Sequence, residues 1–139
     1  MILYYTEDYL KPRFDPEDAG FDLRSAEDIQ IQPMQIVGIS TGISWDVSNG
    51  NFAYITGRSS MNAKGIIVHQ GVIDAGYRGE WIVLMQNLSG VPYTITKGDR
   101  IAQAIVMQSK THFIIPKQGK ADANTSKRGT KGFGSTGRR

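Results

Sequence analysis

Apolar residues along the chain recur mostly at a spacing of two, or in short β-branched runs, over residues 29–31, 52–56, 66–68, 81–85 and 101–106. Such alternation sets one side of an extended segment against a core and the other toward water, so each run predicts a strand. Gly20, Gly50, Gly57, Gly71, Gly76, Gly79, Gly90 and Gly98 fall between the runs as turn punctuation. No stretch of about a dozen residues carries a helical apolar stripe, and only Ser60-Met61-Asn62-Ala63-Lys64 reads as a helical turn. Many short strands joined by Gly-rich turns predict an all-β sandwich or barrel.

The pattern changes after Pro116. Residues 117–139 hold a single large apolar side chain, Phe133, and seven Lys/Arg against Asp122 alone, a local charge of +6. The first 116 residues carry nine bases and twelve acids, a sum of −3, and the two parts together give the net +3. We expect a β core over residues 1–116 and a C-terminal arm over 117–139. The arm has too little apolar surface to offset its own ordering entropy and is expected to be mobile until something binds it. Its charge suits an anion, whether nucleic acid, a phosphate ligand or a neighbouring subunit.

A chain of 139 residues with 40% hydrophobic content can build one modest core, and no second folding unit is expected. The absence of cysteine excludes a disulfide framework and a thiolate metal site, and fits an intracellular, cytoplasmic setting. No run approaches the roughly 20 apolar residues that span a bilayer, so no membrane partner is expected.

Five segments carry candidate chemistry, and each has an ordinary alternative. Ala19-Gly20-Phe21-Asp22-Leu23 sets a carboxylate after a glycine, which suits a turn opening a strand or a group facing a hydrated Mg²⁺. Gly57-Arg58-Ser59-Ser60-Met61-Asn62-Ala63-Lys64-Gly65 joins an arginine fork to two hydroxyls at a helix start. An N-cap explains the serines equally well but not the arginine. Gly71-Val72-Ile73-Asp74-Ala75-Gly76-Tyr77-Arg78-Gly79-Glu80-Trp81 ends an apolar strand on a carboxylate, with an aromatic three residues on. A hairpin turn would also use Asp and Gly there, whereas a general base would use Asp74 to deprotonate a water. Lys97-Gly98-Asp99-Arg100-Ile101-Ala102-Gln103 leads into a strand in which Gln103 is the one polar residue before Val106. Arg128-Gly129-Thr130-Lys131-Gly132-Phe133-Gly134-Ser135-Thr136-Gly137 combines anion-holding glycines with a stacking face, or is a solubilising tail.

Taken together, in this order and spacing, the five segments resemble the five motifs of the trimeric dUTPase family, from Ala19 to Gly137. The resemblance implies a jelly-roll β fold assembled as a homotrimer with shared active sites, the arm closing over a neighbour's site. It implies a Mg²⁺-dependent hydrolysis of dUTP to dUMP and pyrophosphate, which keeps uracil out of DNA and supplies dUMP for dTMP synthesis. By position, Asp74 matches the residue that activates the water attacking the α-phosphate. Tyr77 matches the aromatic beneath the deoxyribose. Val72 and Ile73, with the strand around Ile82, would wall the uracil pocket. Arg58, Ser59, Ser60 and Gln103 fall on phosphate-cradling positions, and Asp22 on the residue that holds Mg²⁺ through water. In the arm, Phe133 would stack over uracil and Arg128, Ser135 and Thr136 would hold the γ-phosphate, with Gly134 among the substrate-binding positions. Val68 stands where many relatives carry asparagine, and Gly57 where proline is frequent. His69 and His112 match no motif. A dCTP deaminase would need a glutamate acid/base and a different base pocket, and a regulatory module would use the basic arm on a partner; nucleic acid is not the expected ligand.

Overall fold

A computed structural model describes residues 1–134. Eleven strands run in order: β1 (Ile2–Tyr5), β2 (Phe21–Arg24), β3 (Ile29–Ile31), β4 (Ile36–Ser40), β5 (Ile43–Asp46), β6 (Asn51–Thr56), β7 (Ile66–Val68), β8 (Gly71–Asp74), β9 (Ile82–Asn87), β10 (Tyr93–Ile95) and β11 (Arg100–Gln108). One α-helical turn, α1 (Ser59–Asn62), interrupts them. All pairings are antiparallel: a four-stranded sheet β2-β11-β6-β8, a three-stranded sheet β4-β9-β7, and the pairs β1-β5 and β10-β3. The result is the all-β fold that the alternation pattern anticipates, in the jelly-roll-like form that the resemblance implies. No helix among the described residues is long and apolar enough to cross a membrane.

The two-residue period decides what is buried. On β2, β6, β9 and β11 the inward positions are Phe21 and Leu23, Ala53 and Ile55, Val83 and Met85, and Ala102 and Ala104, none more than 7% exposed. Their neighbours Asp22, Tyr54, Thr56 and Gln103 face outward and are half-buried. Trp45 and Trp81 fill the core beside them, edge to face at 5.2 Å and 85°. The run expected over residues 81–85 begins one residue later, at Ile82, and extends to Asn87. Trp81 itself precedes the strand, with its N–H bonded to Ile43 O (2.8 Å) and its carbonyl accepting from Thr41 Oγ1 (2.6 Å).

Two local features aim side chains at the site. The first is a bulge in β11, where the register against β2 shifts between Arg100 and Ala102. Ile101 and Ala102 are consequently both buried, and Arg100 lies opposite Arg24, on the face that carries Asp22 and Gln103. Simple alternation would have turned Arg100 to the other face, because it stands three residues from Gln103. The second is Gly20, whose backbone lies so close to β11 that an added Cβ would sit 2.3 Å from Ala104 O. A backbone carbonyl cannot rotate away. Gly20→Ala is therefore expected to force β2 off β11 and to cost about 1–3 kcal/mol, the range for overpacking. A urea titration at fixed protein concentration would show this as a lowered midpoint with the same slope; an unchanged midpoint would mean that β2 can shift freely.

Candidate active site

At one corner of the four-stranded sheet, Asp22, Arg58, Arg100 and Gln103 converge. Asp22 and Gln103 are register partners across β2 and β11. Arg58 Nε lies 3.2 Å from Asp22 Oδ1, and Arg100 Nη1 lies 3.4 Å from Asp22 Oδ2. The Arg58 guanidinium also donates from Nη1 to Arg100 O (3.3 Å), and Gln103 Nε2 donates to Gly57 O (2.9 Å). That last bond fixes the loop that delivers Arg58, and it gives Gln103, the one polar residue between Arg100 and Met107, its partner. The helical turn spans Ser59–Asn62, one residue earlier than expected, and its N-cap is Arg58 with no side-chain cap. Ser59 and Ser60 thus lie inside the turn, and neither hydroxyl takes part in a hydrogen bond among the described residues. An arginine fork, two uncommitted hydroxyls and a carboxamide at one corner make a setting for phosphate oxygens. An open cleft of about 620 Å³ begins at Asp22, Arg100 and Gln103 and runs along Phe14 to Phe21.

Asp74 occupies the diagonally opposite corner, at the end of edge strand β8. Trp45 Nε1 donates to its carbonyl oxygen at 3.3 Å, tying the strand end to the core. The carboxylate itself is exposed and accepts no hydrogen bond among the described residues. The following turn folds back on itself: Tyr77 N donates to Asp74 O (3.1 Å), and the Tyr77 hydroxyl donates to Glu80 O (3.0 Å). This fold requires a bare α-carbon at Gly79, where an added Cβ would stand 2.5 Å from the Tyr77 hydroxyl. Glu80 anchors the far side of the turn by accepting from Ser40 Oγ and from Gly42 N (2.9 Å). Arg78 pairs with Asp46 at 3.2 Å, both well exposed, an interaction worth about 0–1 kcal/mol. The main-chain and indole bonds therefore hold the hairpin.

The two corners are far apart within one chain. Asp22 and Asp74 stand on opposite edges of the sheet, three strand spacings apart, and Thr56, the register partner of Gln103, is four residues along β6 from Phe52, the partner of Asp74. At about 4.8 Å between strands and about 3.3 Å per residue, the diagonal is roughly 20 Å.

The dUTPase family model matches residues 9–137. The chain belongs to the dUTPase family. It is 43% identical over 120 residues to the deoxyuridine 5'-triphosphate nucleotidohydrolase of Paramecium bursaria Chlorella virus 1, covering 86% of this chain and 83% of that protein. It is 37% identical over 121 residues to the Pol polyprotein of caprine arthritis encephalitis virus (strain Cork), covering 87% of this chain. The chain spans 11–12% of the length of the Pol polyproteins it matches. Among solved structures, the dUTPase of Staphylococcus bacteriophage 80alpha with dUPNHPP superimposes with a TM-score of 0.85 at 27% identity, covering 98% of this chain and 97% of that one. The native dUTPase of equine infectious anemia virus gives 0.74 at 31% identity, covering 86% and 100%.

Of the dUTPase motif positions expected from sequence, the structure gathers Asp22, Arg58, Ser59, Ser60 and Gln103 at or beside one corner, and Asp74, Val72 and Tyr77 at the other. Val72 shares Asp74's cleft, about 820 Å³ in volume. Ile73 does not: successive strand residues face opposite ways, and Ile73 packs on the core across from Ala53. Ile82 lies exposed on the outer face of the three-stranded sheet and is not part of that cleft. Val68 is buried in the core, so its side chain offers a ligand nothing. In the arm, Arg128 Nε donates to Lys131 O (2.6 Å) and Phe133 is fully exposed, with Gly134 beside it. The hydrogen bonds of residues 117–134 all fall between Asp122 and Lys131. Ser135 and Thr136 lie outside the described residues. Two residues were not legible as site positions. Arg100 reaches Asp22 through the bulge, and His112 reaches the Asp74 cleft because Ser109 N bonds to Gly50 O (2.8 Å) and brings the chain back to the start of β6. His69 instead contacts Gln86 Oε1 through Nε2 at 3.0 Å.

Gly79→Ala should displace the Tyr77 ring and break its bond to Glu80 without unfolding the sheet. The expected cost is about 0.5–1.5 kcal/mol, the net value of one hydrogen bond, read from urea unfolding together with a shifted Tyr77 ring resonance. An unmoved resonance would show that the ring does not rest on Gly79.

Proposed function

We propose that the chain hydrolyses dUTP to dUMP and pyrophosphate, in an assembly of three copies whose active sites each combine corners from different chains. The observation that carries this reading is the division of one chemistry between two corners. Groups suited to phosphate oxygens stand at one, a carboxylate without a partner among the described residues at the other, and the diagonal of roughly 20 Å exceeds what a triphosphate spans. A second copy placing its Asp74 corner against the Asp22 corner would complete the set. Apolar surface supports association. Tyr54, Val72, Ile105 and Met107 lie on the outer face of the four-stranded sheet, outside the core, and Phe113, Ile114 and Ile115 are at least 69% exposed. The phage 80alpha relative was solved with dUPNHPP.

The Asp74 carboxylate would accept a proton from a water as the water oxygen bonds to the α-phosphorus, and the bond to the bridging oxygen breaks to release pyrophosphate. Arg58, Gln103 and the Ser59 and Ser60 hydroxyls would hold the phosphates in line. Tyr77, pinned over Gly79, offers a flat face to the deoxyribose, and Val72 an apolar wall to the base. The arm, with Arg128, Phe133 and Gly134 free of contacts to the core's corners, would close over the site with Ser135 and Thr136 and exclude water.

Magnesium fits the donor set. Among the described residues no cluster of three or more His, Asp or Glu could cage an ion, and Asp22 is the carboxylate that Arg58 and Arg100 hold at that corner. Mg²⁺ suits such a site because it keeps several waters and takes its remaining ligands from phosphates. When bound, it would neutralise charge on the triphosphate.

Asp74→Asn is expected to retain binding of a non-hydrolysable dUTP analogue while turnover falls by about 10²–10⁴-fold; a near-normal rate in a pyrophosphate-release assay would remove Asp74 from this role. Shared sites give a stricter test. Co-refolded equal amounts of Asp74→Asn and Arg58→Ala chains, each inactive alone, should regain activity at about one site in four. If the mixture stays inactive while both variants form trimers by sedimentation, both corners belong to one chain. Removing residues 128–139 should lower turnover and leave the assembly intact. Across dUTP, dCTP, dTTP and UTP, only dUTP should release pyrophosphate efficiently, and ammonia from dCTP would point to a deaminase.

A further inference from the structure

Arg58 is occupied. Its Nε lies 3.2 Å from Asp22 Oδ1 and its Nη1 donates to Arg100 O at 3.3 Å, so the arginine assigned to the phosphates is held by a carboxylate of its own chain. To face a triphosphate it must leave Asp22. With neither a cation nor a second arginine beside it, a half-buried carboxylate, 35% exposed, would then face several negative phosphate oxygens, an arrangement that opposes binding. The second oxygen of Asp22 already has another partner, Arg100 Nη1 at 3.4 Å.

Resting on the function proposed above, we infer that Arg100 is a positioning residue: it holds Asp22 in place and neutralised when Arg58 turns to the triphosphate. Three observations carry this. The β11 bulge exists at Arg100 and turns it onto the face of Asp22, where alternation would have sent it away. Arg24, its register partner, is directed elsewhere: its Nη1 donates to Gly98 O at 2.7 Å, and among the described residues Asp22 pairs with Arg58 and Arg100 instead. Arg100 is itself half-exposed at 52% and makes no other side-chain bond among the described residues, so its guanidinium is free to follow Asp22. Without ligand the carboxylate bridges two arginines; with ligand it keeps one and releases the other. Of the other charges lining the cleft, Lys11 and Arg13 offset Asp15 and Asp18, and Arg24 is turned to Gly98 O.

The test separates positioning from direct contact with the phosphates. Binding of dUPNHPP is measured by calorimetry in EDTA, so that no divalent cation stands between Asp22 and the phosphates, for the unmodified chain, Arg100→Ala, Arg100→Lys, Asp22→Asn and the double variant Asp22→Asn/Arg100→Ala. Arg100→Ala should weaken binding roughly tenfold or more, the scale of one charge-assisted hydrogen bond. Arg100→Lys, which keeps the charge, should recover most of that loss. In the Asp22→Asn background the Arg100→Ala change should cost less than about twofold, because no carboxylate remains to be neutralised. An equal penalty in both backgrounds, or none in the first with the fold intact by circular dichroism, would overturn the inference. An unmodified chain that fails to bind dUPNHPP in magnesium as well would overturn the proposed function, and this inference with it.

Discussion

The packing of two indoles against a sheet face built from alanines sets the geometry on which the site depends. Ala53, Ala102 and Ala104 are fully buried at the centre of the four-stranded sheet and share one cluster with Trp45 and Trp81. Small residues there leave room for two large rings between layers about 10 Å apart. Burying an indole contributes about 4–6 kcal/mol, taking 150–250 Å² at 25 cal/mol per Å². The Trp45 bond to Asp74 O adds only about 1 kcal/mol. Burial therefore fixes where Trp45 sits, and the weaker bond uses that fixed point to place the end of β8. Phe21, the neighbour of Asp22, stacks at 6.3 Å from Trp81 in the same cluster. One aromatic core thus locates both carboxylates while touching neither.

The strand order explains why the carboxylates end up apart. β2 and β8 are the two edges of their sheet, and β11 and β6 stand between them. Edge strands carry unpaired main-chain groups and are often marked by charge, which blunts unwanted pairing. Here the charges at the two edges have different surroundings. Asp22 lies between two guanidiniums, whereas Asp74 faces an open cleft with Val72, Phe52 and His112. A paired carboxylate suits holding a cation or an arginine, and an unpartnered one suits taking a proton from water.

Much of this was legible in the sequence where a local rule sufficed. Alternation located β3, β6, β7, β9 and β11, because each buries one face and solvates the other. Motif spacing selected Asp22, Arg58, Gln103 and Asp74, and the structure groups the first three through contacts that link β2, the loop after β6 and β11. What spacing could not supply was register. Val72 and Ile73 both looked like pocket walls, but only the pairing of Ile73 with Ala53 decides that Ile73 faces inward. Arg100 carried no role of its own in its segment, and only the bulge sets its face. Trp81 read as the start of a strand, yet its backbone is claimed by Ile43 and Thr41 before the strand begins. Each miss involves a partner more than a dozen residues away, beyond the reach of any periodic pattern.

The bulge and the proposed assembly are two answers to one constraint. A strictly alternating strand can deliver residues to one face only at every second position, so Arg100 and Gln103 could not both meet Asp22 without an extra residue in β11. In the same way, a single antiparallel sheet cannot bring its own opposite corners together, since its width and length are set by main-chain hydrogen bonds. A local insertion solves the first problem at the cost of one irregular pair. In the proposed assembly a second chain solves the other, and a basic arm, poor in apolar groups and with the hydrogen bonds of its described residues kept to itself, suits a segment that would order on a neighbour's site instead of on its own core.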